Sequence, residues 1–536
     1  MEVLIGVIGG LGLFLYGMQV MSAGLQKSAG RQMEKIIELL TKNRLIGVLV
    51  GALVTGVIQS SSATTVMVVG FVNAGMMKLT QAVGVIMGAN IGTTITGQIV
   101  SLSVDKIAPI SVGIGMILWM TAKKNKQKNI AEILIGLGIL FIGMEFLKDS
   151  LKPLRELDTF THLMANLSHN PLLGVLIGLM LTFVVQSSSA SIGMLIALAS
   201  QGILPLAVAL PILYGDNIGT CTTALLSSIG ASKNAKRAAI IHMAFNLVGT
   251  VIFVLFLSGP ITSLVTGWDP TDVGRQIANA HTVFNLVNVV IQFPFAFILI
   301  KIAMFLVPDK GDEDNQKLTK FIDDRLLETP SIALNSAVSE TVNMGRTAQV
   351  SLDKAMETLF SGNYSGVAET FKLEKDLNKF EKEITEYLVK LSNCELVDED
   401  RIYVDKLFNA INDIERIGDH ADNIAEIITS IDEYKITFSN VSREMLVKMH
   451  ETTARTLSLA IDAIETPNQQ KINQVHELEE EMDQLQKEAR KGHFTRLNNN
   501  ECDADSGIFY LEIINNLERV SDLSSNLARI AAENID

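Results

Sequence analysis

The chain has 536 residues and a formal net charge of −14, and its charge divides it into two unlike parts. Residues 1–308 carry 19 Lys and Arg against 12 Asp and Glu, whereas residues 309–536 carry 25 against 46. The acid surplus of the second part excludes nucleic acid as an expected partner, and three cysteines without Cys-x-x-Cys spacing exclude a disulfide framework or zinc knuckle.

The first part is predicted to be a helical membrane domain with many spans. Its apolar runs lie near residues 3–25, 45–58, 62–77, 80–101, 107–122, 130–147, 171–185, 189–229, 238–258 and 280–307. Crossing a bilayer takes about 20 apolar residues, so the shorter runs, which end in Gly, Ser, Thr or Asn, are typical of broken or re-entrant helices. The first run has no basic segment before it and is expected to be a retained span rather than a signal peptide.

Three segments of this part recur in order at nearly one spacing. The pairs are GLGLFLYGM at 10–18 with GLGILFIGM at 136–144, QSSSA at 59–63 with QSSSA at 186–190, and GANIGTT at 88–94 with GDNIGTC at 215–221. Duplicated halves with interrupted helices indicate a secondary transporter with its site between the repeats. We therefore predict repeats over about residues 3–125 and 130–258, with an extra helix at 280–307.

A simpler interpretation is that the small residues only let helices pack closely. That interpretation is weak for Gln-Ser-Ser-Ser, because four consecutive polar side chains cover every face of a helical turn and packing cannot satisfy them in lipid. A shorter echo, HMAFN at 242–246 and HTVFN at 281–285, is either a further repeated element or a coincidence.

The repeated motifs offer neutral hydroxyl, amide and backbone N–H groups. Helix N-termini and hydroxyls suit an oxyanion, and amide and hydroxyl oxygens suit a hard alkali cation. No Lys or Arg lies between Glu156 and Ser232, and Lys78 alone interrupts residues 45–105. Because an anion desolvated there needs compensating charge, we hypothesise that it binds together with two or more sodium ions.

Asp216 is the one acid inside a repeated motif, at the position where the first repeat has Ala89. An ionisable group in a membrane segment is a functional candidate by default. We predict either that Asp216 binds a cation or that it lies at a solvated helix end.

Paired Q-S-S-S motifs, each followed by G-x-N-I-G-T, resemble the type II sodium-phosphate cotransporter family over about residues 1–307. The resemblance implies an all-α transporter of two inverted repeats that moves inorganic phosphate with Na+. It implies that the residues of these motifs line the phosphate and sodium sites. Within that set we predict phosphate binding by Ser60, Ser61, Ser62, Thr93, Ser187, Ser188, Ser189 and Thr220. We predict sodium binding by Gln59, Asn90, Gln186 and Asn217, to which we add Asp216. The direction of transport stays open, because some bacterial relatives are proposed to export phosphate.

After a hydrophilic linker at residues 309–317, apolar residues at three- and four-residue spacing predict amphipathic helices over residues 318–536. An E-R-x-x-D-x-x-x-N motif occurs twice in two similar halves, which predicts two tandem three-helix bundles and resembles the PhoU domain of phosphate regulation. The resemblance implies a metal site, for which Fe, Mn, Mg or Zn would suit the oxygen ligands. Its ligands would be Glu415, Asp419, Asn423, Glu518, Asp522 and Asn526. The alternative is an exposed face of salt bridges.

Short loops rich in Lys and Arg at residues 123–128 and 232–237 predict the cytoplasmic side of the bilayer. We expect a multi-pass protein of the inner (cytoplasmic) membrane with a cytoplasmic C-terminal domain, and such transporters and PhoU-like domains often form homodimers. An enzyme such as a membrane phosphatase is disfavoured, because no P-loop or nucleophile elbow is present. A phosphate sensor without net transport and a carrier of another oxyanion remain alternatives.

Overall fold

The computed structural model describes residues 2–38, 43–102, 107–153, 167–308, 318–499 and 501–532. Within these ranges the regular elements are helices, so the predicted all-α fold class is confirmed. The chain divides into two compact units, Met1–Asp314 and Asn315–Asp536. The predicted linker at 309–317 lies outside the described residues.

The first unit begins with six helices: α1 (Glu2–Glu38), α2 (Arg44–Ile58), α3 (Ser61–Asn73), α4 (Leu79–Val100), α5 (Ala108–Thr121) and α6 (Asn125–Leu151). It continues with α7 (Pro171–Val185), α8 (Ser188–Ser200), α9 (Leu206–Gly219), α10 (Cys221–Ser227), α11 (Lys233–Ile252), α12 (Ser258–Trp268), α13 (Val273–Gln292) and α14 (Ala296–Leu306). A π-helical turn, Phe253–Leu257, joins α11 to α12, and a 3-10 turn, Phe293–Phe295, joins α13 to α14. The run predicted at 189–229 is thus three helices, and the one at 280–307 is two.

Five helical stretches among the described residues are long and apolar enough to cross a membrane. They are Val3–Ala29, Leu79–Val100, Asn125–Leu151, Lys233–Trp268 and Val273–Leu306. Shorter apolar helices, including α2, α3, α7 and α8, flank the Gln-Ser-Ser-Ser motifs. The short apolar runs found beside these motifs in the sequence are therefore separate short helices in the structure.

The repeated glycine segments on α1 and α6 pack directly against each other. A Cβ on Gly17 would strike the backbone of Leu140, and one on Gly10 would strike the backbone of Leu147. The later residue of α1 contacts the earlier residue of α6, and the earlier residue of α1 contacts the later one, so the two helices run antiparallel. The helices can approach this closely because glycine has no side chain, and small residues let membrane helix backbones come into contact.

The second unit consists of α15 (Pro330–Ser361), α16 (Val367–Ser392), α17 (Asp398–Glu433), α18 (Asn440–Glu465), α19 (Gln469–Asn498) and α20 (Ala504–Ala532). Helices α15 to α17 pack as one three-helix bundle and α18 to α20 as another. The bundles meet through α17 with α20 and α15 with α18. Their cores follow the helical period, as with Leu407, Ile411 and Ile414 on α17, which are fully buried.

Candidate functional site

Each repeat contains a helix that is broken inside the Gln-Ser-Ser-Ser motif. Gln59 ends α2 with a φ of 58°, and Gln186 ends α7 with a φ of 56°. This left-handed conformation is uncommon for a residue other than glycine. In both motifs the glutamine N–H donates to the carbonyl oxygen four residues earlier, Thr55 or Thr182, at 2.7 Å. The two sequence copies therefore share one backbone geometry.

The first serine of each triplet caps the helix that follows the break. The Ser60 hydroxyl accepts from the Ala63 N–H at 3.1 Å, and the Ser187 hydroxyl accepts from the Ala190 N–H at 3.2 Å. The other serines of the triplets lie in the first turns of α3 and α8, where Ser61, Ser188 and Ser189 are buried and Ser62 is half-buried. A helix start lined by hydroxyls favours negative charge, so this part of the motif is chemically suited to an oxyanion.

The two G-x-N-I-G-T segments lie on α4 and α9, and their polar side chains are buried. The Asn90 and Asn217 amides donate to backbone carbonyls one turn earlier at 2.8 Å, and the Thr93 and Thr220 hydroxyls do so at 3.0 Å. These bonds use the threonine hydroxyl hydrogens and one N–H of each amide, and they do not involve the Asn90 Oδ1 or Asn217 Oδ1 acceptors. Amide oxygens placed in this way suit an alkali cation.

Glycines bring these segments close to the broken helices. A Cβ on Gly88 of α4 would strike the Val48 carbonyl of α2, and a Cβ on Gly215 of α9 would strike the Val175 carbonyl of α7. Both contacts are related by the same 127-residue offset as the motifs. The glycines of G-x-N-I-G-T thus position the motif helices, while the asparagines and threonines supply polar groups.

Thr96 joins the two Gln-Ser-Ser-Ser motifs, and the sequence alone did not single it out. Its hydroxyl donates to the Gln59 Oε1 at 2.9 Å and accepts from the Ser189 hydroxyl at 3.5 Å. Thr96 is 2% exposed, so this chain of hydrogen bonds is internal. This link therefore brings together two predicted site residues, Gln59 of the first repeat and Ser189 of the second.

The glutamines that end the broken helices differ in their surroundings. Gln59 is buried, and its amide donates to the Gly56 carbonyl, whereas Gln186 is exposed and donates to the Phe183 carbonyl at 2.5 Å. Identical sequence and backbone thus give unlike side-chain environments. Both glutamines are predicted sodium ligands, but only Gln59 lies in the internal network with Thr96.

Asp216 is 1% exposed and lies against the second broken helix. Its Oδ1 accepts from the Thr182 hydroxyl, which lies 3.2 Å from the Ser191 hydroxyl, while its Oδ2 is buried without a hydrogen-bond partner. The first repeat has the corresponding pair Thr55 and Thr64, 3.0 Å apart, without an acid. This placement differs from a solvated helix end.

Two further asparagines, absent from the predicted site, extend the polar cluster. The Asn285 amide on α13 donates to the Asn217 Oδ1 at 3.4 Å, and the Asn246 amide on α11 donates to the Cys221 sulfur at 3.3 Å. Both belong to the H-x-x-F-N echo. This repeated pattern, in which the same residue types recur 39 positions apart, was the sequence feature that could have identified the two asparagines.

Two guanidinium groups near the motif helices are engaged at helix ends. Arg237 donates to the Val307 carbonyl at 2.8 and 3.0 Å, and Arg275 donates to the Gln98 carbonyl at 3.3 Å and the Ser101 hydroxyl at 2.8 Å. Carbonyls at a helix C-terminus carry partial negative charge, which these cations complement. Both side chains thus stabilise the ends of α14 and α4.

In the second unit, the repeated acidic motifs lie on α17 and α20. Burial, followed by the neighbouring carboxylates of Asp419, Glu381 and Glu374, raises the pKa of Glu415. Burial and Asp522 likewise raise the pKa of Glu518. Each motif therefore places carboxylates close together, with the arginine of the motif, Arg416 or Arg519, beside them.

The two acidic motifs are not arranged as the predicted metal site. Across the described residues, no group of three or more His, Cys, Asp or Glu side chains is placed to hold a metal ion. Asn526 accepts from Arg529, and the Asp522 carboxylate lies 3.6 Å from the Arg519 guanidinium. Asp419 and Asn423 are exposed, and the Asn423 amide donates to Asn516 at 3.5 Å. The metal prediction is not supported, because spacing along one helix did not converge the ligands.

Each of the two units matches a known protein family. A family model described as Na+/Pi-cotransporter matches residues 13–149 and 143–293, and a PhoU domain model matches residues 341–428 and 446–531. The PhoU phosphate-transport regulatory protein of Streptococcus pneumoniae aligns with 38% of this chain and 94% of its own, with a TM-score of 0.35 and 20% identity.

Whole-length and partial relatives are also found. The Escherichia coli K12 protein named putative inorganic phosphate export protein YjbB is 23% identical over 538 residues, 100% of this chain and 98% of its own. Bacillus subtilis YqeW is 31% identical over 297 residues, 55% of this chain and 96% of its own. Rat sodium-dependent phosphate transport protein 2A is 37% identical over 98 residues, 18% of this chain and 15% of its own.

Proposed function

This chain belongs to the Na+/Pi-cotransporter family, and we propose that it moves inorganic phosphate across the cytoplasmic membrane together with sodium ions. The observation that carries the proposal is the Thr96 link between Gln59 of one repeat and Ser189 of the other. It supports one buried site built from both halves, where hydroxyls and helix starts receive phosphate and amide oxygens receive sodium.

The repeats are proposed to be inverted relative to each other. Support comes from α1 and α6, which carry equivalent glycine segments at an offset of 126 and run antiparallel through them. Helices related in this way fit a twofold axis in the membrane plane, the arrangement used for alternating access around a fixed site.

Sodium coupling is proposed from electrostatics. The serines, threonines and asparagines of the motifs are neutral, and the one acid, Asp216, would itself repel an anion. Alkali ions at Asp216 and the amide oxygens would reverse that charge before phosphate binds, since unpaired charge is costly in a low-dielectric interior.

The PhoU-matching unit is proposed to lie in the cytoplasm and to regulate transport. Loops rich in Lys and Arg, before α6 and at the start of α11, favour that side for the connected ends. The same PhoU match favours a second candidate, a phosphate sensor that binds without net transport. Direction is not fixed by the site, and export would agree with the name of the Escherichia coli relative.

Counterflow of labelled phosphate in liposomes tests the proposal. Wild type should exchange internal for external phosphate, and sodium should accelerate exchange over choline. Ser61→Ala and Ser188→Ala should each impair it, whereas Ser200→Ala, at the exposed end of α8, should not. Sodium-indifferent exchange would refute coupling, absence of exchange with retained phosphate binding would favour the sensor, and faster exchange of sulfate would change the substrate.

A further inference from the structure

Two polar side chains of α1 hold the carbonyl group that directly precedes the first helix break. The Ser22 hydroxyl donates to the Ile58 carbonyl at 2.5 Å. The Gln26 amide donates to the same carbonyl at 3.4 Å and to the Ser22 hydroxyl at 3.1 Å. Both side chains lie inside the apolar stretch Val3–Ala29, and neither belongs to a repeated motif. We call this pair, bonded to the Ile58 carbonyl, the α1 clasp.

The α1 clasp lies on the face of α1 opposite to the face that packs on α6. Ser22 and Gln26 lie two residues before and after Gly24, which is just over half a helical turn away from each. A Cβ on Gly24 would strike the α6 backbone, and the neighbouring Lys27 pairs with Glu132 of α6 at 3.0 Å. One side of α1 is therefore fixed against α6, while the other side holds the end of α2.

The α1 clasp completes the fixing of the peptide group at the break. The Ile58 carbonyl and the Gln59 N–H belong to one planar peptide unit. Its N–H donates to the Thr55 carbonyl at 2.7 Å, and its oxygen accepts from Ser22 and Gln26. With both ends of the unit bonded, Gln59 is held at its left-handed φ of 58°. This conformation directs the Gln59 side chain to the Thr96 hydroxyl.

The second repeat has other residues at the positions of the α1 clasp. At the offset of 126 that relates α1 to α6, Lys148 and Lys152 replace the serine and the glutamine. Lys152 is exposed and pairs with Asp149 at 2.7 Å. The break in this repeat is the one at which Gln186 is exposed. The repeat with the serine and glutamine pair is thus the one whose glutamine lies in the internal network.

We propose that Ser22 and Gln26 are positioning residues of the sodium site. They hold the Ile58 carbonyl so that the Gln59 Oε1 is already in place when sodium arrives. A binding group is effective when neighbouring hydrogen bonds lock its position, so loss of the α1 clasp weakens sodium binding without removing a ligand. The inference rests on the proposed function and makes the two helix breaks unequal, with the first one preset for the cation.

The test measures the thermal midpoint of the full-length protein in detergent as sodium chloride replaces choline chloride. Sodium that binds the folded protein raises the midpoint in a concentration-dependent way. Ser22→Ala and Gln26→Met each remove a donor to the Ile58 carbonyl. The sodium concentration for half-maximal stabilisation should rise about threefold to tenfold in each variant, as expected for one internal hydrogen bond.

Two matched controls accompany these variants. Ser28→Ala removes an exposed serine from α1, and Lys152→Ala removes the second-repeat counterpart of Gln26. Both should keep the wild-type sodium dependence. The two test variants remove donors independently, so either one decides the question if the other does not fold.

A purely structural role would lower the midpoint at every sodium concentration and leave the half-maximal concentration unchanged, which would overturn the inference. An equal rise in Lys152→Ala would overturn it as well. Phosphate uptake into liposomes separates the two proposals. Sodium-driven uptake by wild type with an unshifted half-maximal concentration in the variants refutes only the positioning role. The expected shift without uptake by wild type refutes only the transport function, and wild type with neither sodium stabilisation nor uptake refutes both.

Discussion

Thr96 donates its hydroxyl hydrogen to the Gln59 Oε1 at 2.9 Å and so fixes the glutamine that ends a broken helix. Its counterpart in the second repeat, Thr223, instead donates to the Thr220 carbonyl of its own helix at 3.0 Å. Threonines at equivalent positions thus have different tasks. Thr96 links Gln59 and Ser189, whereas the Thr223 hydroxyl bonds only to a carbonyl of its own helix.

Thr96→Val is expected to weaken sodium-driven phosphate uptake, because it leaves the Gln59 oxygen without its donor at nearly constant volume. A lost internal hydrogen bond corresponds to a rise in apparent KM of about threefold to tenfold. Uptake into proteoliposomes at varied sodium and phosphate measures it. Thr223→Val is the matched control and should have little effect, so equal losses in both variants would contradict a special role for Thr96.

Asp216→Asn should shift the sodium dependence more than the phosphate dependence. The asparagine oxygen can still accept from the Thr182 hydroxyl, but the negative charge is gone. We expect the sodium concentration for half-maximal uptake to rise about tenfold, the equivalent of losing one charge-assisted contact. Asp149→Asn removes an exposed acid from the same unit as a control. Wild-type sodium dependence in Asp216→Asn would exclude Asp216 as a ligand.

The glycine interface between α1 and α6 gives a prediction about stability. Gly17→Ala places a methyl group against the Leu140 backbone, whereas Gly12→Ala, on the same helix, meets nothing within 4 Å. Gly17→Ala should lower the thermal midpoint of unfolding in detergent, since overpacking typically costs about 1–3 kcal/mol. Gly12→Ala should be neutral. Fluorescence-detected size-exclusion after heating reports both, and similar midpoints would mean that α1 and α6 separate easily.

Part of this site follows from the sequence. The repeats, the helix breaks at Gln-Ser-Ser-Ser and the burial of the G-x-N-I-G-T side chains are local consequences of composition and periodicity. The unlike environments of Gln59 and Gln186 are not, because identical residues on identical backbones are distinguished only by the helices packed around them. Thr96 was missed for the same reason, since its partners lie in distant segments.

The second unit shows where a helical pattern misleads. Spacing at i, i+4 and i+8 correctly placed Glu415, Asp419 and Asn423 along one helix, but side-chain convergence needs partners from other helices. There the structure supplies like-charged carboxylates and hydrogen-bonding amides instead. A helix face can therefore be predicted from sequence, while a ligand cage depends on tertiary packing.

Asp422 makes the stability of the second unit depend on pH. Burial, reinforced by the carboxylates of Glu374, Glu426 and Asp419, raises its pKa to about 6, and its Oδ1 is buried without a partner. A folded-state pKa above the unfolded value of 3.8 means that ionisation destabilises the fold. Stability contributed by this group therefore increases as pH falls through about 6 and is complete below about 4.

Asp422→Asn should remove this dependence and stabilise the unit at pH 7.5 by roughly 1 kcal/mol, after allowance for solvent screening. Urea unfolding of residues 315–536, a compact unit with its own core, measures the difference. Asp405→Asn removes an exposed acid from the same helix and controls for net charge. A gain that is equal at pH 4 and 7.5 would show that it does not arise from Asp422 ionisation.

Regulation by the second unit requires a connection to the chain that enters it, and Glu340 provides one. Its buried carboxylate accepts from the N–H groups of Lys320, Phe321 and Ile322, which tie the start of the unit to α15. A chain ending at residue 308 should transport phosphate but lose its response to phosphate inside the vesicle. Glu340→Ala keeps the second unit in the chain but should lose part of that response, because three backbone donors lose their acceptor.

Uptake rates are compared over a range of internal phosphate, with Glu357→Ala, an exposed acid on α15, as the control. An identical response from the full-length and truncated proteins would refute regulation, and a normal response from Glu340→Ala would mean that the signal does not pass through this contact.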